Sequence, residues 1–311
     1  MWTRVLPAAS CLIACVAARA TDVSGDVFGR WTVFQNPIRV TADCRVPAGK
    51  TLEIGPGVSV QIAGDASITV DGDLLVWGIN SRRTTFDKVA ADAAPWRCVA
   101  VNSGGHASFT NASLRGGGAA TALESTGMLR LDGGLASLNG CDVSGSASSG
   151  VFVNGGSLSA SSTSFSGNGG AQPTDAAIHV VYGPVILSTG TACNSICNGV
   201  WGIYNEDIVP VLAAGTWWGA ANGPQNPENI LGGGSSVSDD VTFDGFVTTA
   251  PHPGRGDVNA DGAVDVKDAL LALRAVGGMQ SATADILRAD YNGDGAVDIL
   301  DVVSLIQQAL R

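Results

Sequence analysis

Near the carboxy end of the chain, oxygen-bearing side chains recur at a spacing that suits a hard cation. Asp257, Asn259, Asp261, Asp265 and Asp268 stand at positions 1, 3, 5, 9 and 12 of the run DVNADGAVDVKD. Asp290, Asn292, Asp294, Asp298 and Asp301 hold the same positions of DYNGDGAVDILD. Calcium takes roughly six to eight oxygen ligands at flexible angles, and a loop of this length supplies them from alternating side chains plus the position-7 carbonyl, here Ala263 and Ala296. Gly262 and Gly295, at position 6, allow the sharp turn around the ion that a Cβ would resist. The chemistry expected is the binding of two calcium ions, one per loop.

Each loop needs an element to hold it. After the first, Val266, Ala269, Leu270 and Leu273 recur at helical spacing, and 33 residues later Ile299, Val302, Val303 and Ile306 repeat the pattern. Each loop therefore runs into an amphipathic helix. An acidic, glycine-rich surface loop without metal is the plainer account of one such run. Two in register, each followed by an apolar stripe, argue against it.

The duplicated loop, with Asp268 and Asp301 where an EF-hand carries Glu and with no complete helix leading into the first loop, resembles a type I dockerin over residues 256–311. The resemblance implies two calcium ions and docking onto a cohesin module. It also implies that loop positions 10 and 11 contact the partner. In many dockerins those positions carry Ser and Thr; here they are Val266-Lys267 and Ile299-Leu300, which leaves calcium binding intact and the identity of the partner open.

The remainder of the chain has a different character. Of 311 residues 42 are Gly and only 14% are charged, a composition suited to tightly turned β structure. The net charge of −11 gives phosphate no basic face and argues against nucleic acid. Much of it sits on the eight Asp of the two loops, so the rest of the chain is near neutral. Residues 1–20 read as an export signal, with Arg4, an apolar run from Val5 to Ala18, and a small-x-small site at Ala18-Arg19-Ala20. Leu12-Ile13-Ala14-Cys15 also reads as a lipobox, so a secreted or cell-surface protein and one anchored by lipid on Cys15 are both open. No later segment is apolar enough to span a bilayer. Among Cys44, Cys98, Cys141, Cys193 and Cys197, a local Cys193–Cys197 disulfide is available to an exported chain, and the odd count leaves at least one thiol over.

Between residues 21 and 250 short apolar alternations (Val58, Val60, Ile62; Ile68, Val70; Leu74, Val76) are broken by Gly and Asn, with no long helical period. A loose repeat runs through GGHASFTNASLRG, GGLASLNGCDVSG, GGSLSASSTSFSG and GPVILSTGTACNS, closing on Leu114, Val143, Phe165 and Cys193, with Trp217 as a possible fifth. Spacings of 22 to 29 residues without helices predict a parallel β-solenoid of about three strands per coil. A β-sandwich is the alternative. Trp31 with Pro37-Ile38-Arg39-Val40 and Val46-Pro47-Ala48-Gly49 resembles the opening of exported right-handed parallel β-helix proteins of the pectate-lyase-like kind. Thr216-Trp217-Trp218-Gly219 and Gly223-Pro224 resemble their close, and the likeness covers roughly residues 27–247. The fold expected is thus mainly β: a right-handed parallel β-helix over 21–250, a linker at 251–255, and a small all-α calcium-binding dockerin over 256–311.

No catalytic motif emerges. Asp87, Asp92, Glu124, Asp132, Asp142, Asp175, Glu206 and Asp207 fall in different repeats without a common position, His106 reads as a solvent-exposed turn residue, and Arg82-Arg83 as solvated charge. Three functions remain: a non-catalytic binding or scaffold component facing polysaccharide or the cell envelope; a polysaccharide lyase or glycoside hydrolase; and a dockerin that caps its own β-helix in place of a cohesin.

Overall fold

The computed structural model describes residues 20–79, 82–89, 94–119, 126–170, 172–187, 193–199 and 201–248. In the tail it describes 256, 258, 264–279, 288–289, 291 and 297–309. Of the expected leader, residues 1–20, all but Ala20 lies outside them.

The alternating segments form a parallel β-solenoid with three faces. The chain passes from face to face, and each strand pairs in parallel with its counterpart one coil earlier and one coil later. The first face climbs from Ile38–Val46 through Ser59–Ile62, Thr84–Lys88, Ala112–Arg115, Asp142–Ser144 and Ser164–Ser166 to Ser195–Cys197. The second also starts in Ile38–Val46, whose later half pairs with Ile68–Val70, and continues through Val99–Asn102, Gly127–Asp132, Ser149–Asn154, Ala176–Tyr182 and Trp201–Asn205. The third runs from Gly29–Trp31 to Val241–Thr242.

Why these residues stack follows from the period-2 alternation. In register, every second side chain points inward above its equivalent, so Ile38, Val60, Phe86, Leu114, Val143, Phe165 and Ile196 make one continuous apolar ladder, each fully buried. The fourth rung differs from the repeat read in sequence. Ile196, not Cys193, lies beside Phe165, three residues later than the repeat suggested. Beyond it, Ser195 bridges to Trp217, and the fully buried aromatic that closes the stack is Trp218.

Tight corners between the second and third faces are built from glycine. A Cβ on Gly156, which has φ +76°, would run into the Gly134 carbonyl oxygen of the coil below, and one on Gly134 would meet Val101 and Asn102. Polar groups inside the stack bond from coil to coil: Asn198 Nδ2 donates to the Asn168 carbonyl at 2.7 Å, and the Asn168 amide donates back to Asn198 Oδ1 at 2.7 Å. Thr21–Asp26 pairs beside Ile38–Val46 at the amino end, where Trp31 is buried, so the large aromatics at both ends shield the stack.

The five described cysteines are free. The Cys193–Cys197 disulfide does not form, since Cys197 ends the extended strand Ser195–Cys197 and points outward. Among the described residues no helix is long and apolar enough to cross a membrane.

The tail forms a second, much smaller apolar cluster. Two helices, α1 (Val266–Val276) and α2 (Ile299–Ala309), bury Ala269, Ala272, Val302 and Leu305, with Val258 and Ala289 beneath them.

Candidate functional site

The tail is built twice. In the first half Asp265 caps α1 by accepting the Lys267 amide at 2.7 Å on Oδ1, while the Asp265 amide donates to Asp268 Oδ2 at 2.9 Å. In the second half the Leu300 amide meets Asp298 Oδ1 at 2.7 Å, and the Asp298 amide meets Asp301 Oδ2 at 2.9 Å. This is a capping-box arrangement, reciprocal between positions 9 and 12, and it fixes one oxygen of each position-12 carboxylate. Asp268 and Asp301 are both fully buried. Holding a carboxylate away from water costs several kcal/mol unless a cation lies close, so the position-12 side chains fit a loop built around a metal ion. The other ligands expected from sequence, Asp257, Asn259, Asp261, Ala263, Asp290, Asn292, Asp294 and Ala296, lie outside the described residues.

The helices do not bury the stripe that sequence periodicity marks. Ala269 and Val302 are inside, but Val266, Leu270 and Leu273 on α1, and Ile299, Val303 and Ile306 on α2, are exposed by 42–60%. Each helix meets its partner through small or singly placed residues, Ala269 and Ala272 against Val302 and Leu305, and keeps a second apolar face toward solvent. Lys267 and Leu300 are exposed at the edges of these faces, and Lys267 Nζ lies 3.2 Å from Asp265.

Residues 255–310 match the family model of the dockerin type I domain. The chain ends in a type I dockerin. Type I dockerins bind calcium and dock onto cohesins, which accounts for both the twin acidic caps and the apolar faces left uncovered. No curated protein and no solved structure matches the chain.

The solenoid in front of the dockerin carries its own concentration of charge, on the outside of the second face. Arg97 Nη2 reaches Asp43 at 2.6 and 2.7 Å, and the Ser67 amide and hydroxyl each donate to Asp43 Oδ1 at 2.9 Å. Arg45 Nε meets Asp71 Oδ2 at 2.5 Å, with Asn102 Nδ2 at 2.7 Å from the other oxygen. Arg130 Nε lies 3.0 and 2.8 Å from the Asp132 oxygens. His179 Nε2 lies 2.8 Å from Glu206 Oε1. The Arg97 guanidinium, aided by Ser67, holds the Asp43 carboxyl below its ordinary value, and Arg45 and Asn102 do the same for Asp71.

Aromatic rings sit among the later pairs. Phe152 and Tyr204 meet the buried His179 ring edge-on at 5.1 and 5.3 Å, Trp201 lies 5.2 Å from Tyr204, and Tyr182 is largely exposed. His179 Nδ1 is buried with no hydrogen-bond partner among the described residues.

Of the acids read in sequence without a common position, the structure brings two, Asp132 and Glu206, to equivalent positions. Asn102 pairs with Asp132, and Asp132, Asn154 and Glu206 each follow residues paired across successive coils (Leu131 with Val153, Val153 with Val180, Val180 with Asn205). The signal was present in the chain as an acid or amide just before each glycine corner: Asp71-Gly72, Asn102-Ser103-Gly104, Asp132-Gly133 and Asn154-Gly155. Asp142 and Arg83 lie elsewhere, on the first face, where Arg83 Nη2 donates to the Gly140 and Ala112 carbonyls at 2.6 and 3.1 Å and bridges three coils. Arg83 is thus a structural tie and not solvated charge. His106 is exposed at the start of His106–Thr110, with Nδ1 3.7 Å from Asp73. Asp92 and Glu124 lie outside the described residues.

Proposed function

We propose that this is an exported attachment protein: a calcium-loaded dockerin, over 256–311, fastens a non-catalytic β-solenoid, over 21–250, to a cohesin, and the solenoid presents its surface to polysaccharide or the cell envelope. Two ions are held, one by Asp257, Asn259, Asp261, the Ala263 carbonyl, Asp265 and Asp268, the other by Asp290, Asn292, Asp294, the Ala296 carbonyl, Asp298 and Asp301. The cohesin covers Val266, Lys267, Leu270 and Leu273, or the equivalent Ile299, Leu300, Val303 and Ile306. The observation that carries this reading is the pair of matching apolar faces left exposed beside buried loop carboxylates.

A non-catalytic solenoid is supported by the state of its acids. Glycoside hydrolysis needs one carboxyl kept protonated by a raised pKa and a second roughly 5 to 9.5 Å away. On the second face Asp43 and Asp71 are shifted the other way by bound guanidinium groups, and three coils separate Asp132 from Glu206, roughly 14 Å.

Titration of the full chain with type I cohesins in calcium and in chelator tests the proposal. Binding that needs calcium and is lost in a Leu270→Lys, Val303→Lys double variant is the result expected. Chelator-insensitive binding, or none to any cohesin, overturns it.

A further inference from the structure

We infer that the outside of the second face holds an uncharged polysaccharide chain, lying along the solenoid axis across its three arginine–carboxylate pairs and the exposed Glu206 and Tyr182 beyond them. This rests on the reading of the solenoid as a polysaccharide-facing scaffold and adds to it the face and the charge class of the glycan.

The arginine pairs run from Ile38–Val46 to Gly127–Asp132, and Asn154, Tyr182 and Glu206 continue the row as far as Trp201–Asn205, seven strands spanning roughly 29 Å at the spacing of neighbouring strands. An extended polymer could follow them coil by coil. The backbone of these strands is already paired on both sides, so the face offers side chains only, which excludes capture of a peptide by strand addition. What the side chains offer is sorted by charge. Asp43, Asp71, Asp132 and Glu206 stand against only three guanidinium groups, from Arg45, Arg97 and Arg130, and each guanidinium already has a carboxylate at 2.5–2.8 Å. A polyuronate would have to displace a carboxylate from every cation it met, on a face with no net positive charge.

A neutral sugar needs no such exchange. Its hydroxyls donate and accept at once, and a guanidinium fixed beside a carboxylate supplies acceptor and donor together, in an orientation held by the pair itself. Asn102 and Asn154, placed between the pairs, offer the same double capacity. Tyr182, Tyr204 and Trp201 at the carboxy end provide apolar ring surface with a polar tip, suited to the C–H side of a pyranose. One side of the face is also partly covered: Trp201 Nε1 donates to the Pro173 carbonyl at 3.1 Å, so the connection from the first face reaches over it.

The test is retention of the full chain on immobilised hydroxyethyl cellulose, xylan and polygalacturonate, measured with chelator present so that cohesin docking plays no part. Retention on a neutral polymer that persists from about 0.15 M to about 1 M salt is expected. Arg130→Gln and Tyr182→Ala should each weaken it at least about tenfold, the second at an exposed position that leaves folding unaffected. Ser159→Lys, on the third face, should leave retention unchanged. Preference for polygalacturonate that salt abolishes overturns the inference while sparing the scaffold reading. Retention weakened by Ser159→Lys alone places the glycan elsewhere and overturns it as well. Retention on none of the three sinks both the inference and the polysaccharide half of the proposed function, with calcium-dependent cohesin capture still to be judged by its own titration.

Discussion

The two parts of this molecule solve the same problem, a chain of modest hydrophobicity that must hold one shape, by opposite means. The solenoid stacks its apolar side chains into ladders such as Ile38, Val60, Phe86 and Leu114, so every coil is buried by its neighbours and no ion is required. In the dockerin, Val258, Ala269, Ala272, Ala289, Val302 and Leu305 are the buried apolar residues among those described, mostly small side chains set around two helices. It buries Asp268 and Asp301 as well, carboxylates that a loop-bound cation would favour there. In the proposed reading stability comes from repetition in one part and from coordination in the other, and the part that needs the ion is the one whose apolar faces are exposed.

That contrast can be broken or sharpened by substitution. Phe86→Ala, in the middle of the ladder, should cost the solenoid about 3–5 kcal/mol and leave calcium binding by the tail unchanged, measured by denaturant unfolding and calorimetry. Asp268→Ala should weaken one calcium site by at least about tenfold without moving the solenoid transition. If it lowered both, the two parts would fold as one unit. Leu270→Lys, on an exposed face, should change stability by less than about 0.5 kcal/mol while reducing cohesin binding.

Smaller effects come from ionisation. Because the Asp43 and Asp71 carboxyls are depressed in the folded chain, their contribution is present above the ordinary carboxylate value of about 3.9 and is lost as pH falls through the lowered folded values. The solenoid midpoint should therefore drop below about pH 4, and less so in Asp71→Asn. Burial pushes the Cys44, Cys98 and Cys141 thiols up to about 11, so an alkylating reagent at about pH 8 should modify exposed Cys197 well before them.

How much of this was legible in the sequence depended on whether the spacing was fixed by local chemistry. The dockerin was, because its duplicated pattern fixes both residue type and interval, and so was the alternation of Val58, Val60 and Ile62. The fourth rung was not. A connection of different length put Ile196 where the repeat suggested Cys193, and no local signal marks how long such a connection runs. The row of acids and amides was hidden for the same reason, since Asn102, Asp132, Asn154 and Glu206 share a position only once coils are superposed. Helical periodicity located the stripes on α1 and α2 but could not say which apolar side faces inward, a choice made by the partner helix.

The central claim is that the tail owes its fold to calcium and the solenoid does not. Hydrogen exchange on the intact chain, with calcium and then with excess chelator, measures this directly. The account predicts that protection across Val266–Val276 and Ile299–Ala309 collapses in chelator while the strands of the ladder, Ser59–Ile62 through Ser164–Ser166, stay protected. Helices that remain protected without the metal, or a ladder that loses protection together with them, would contradict it.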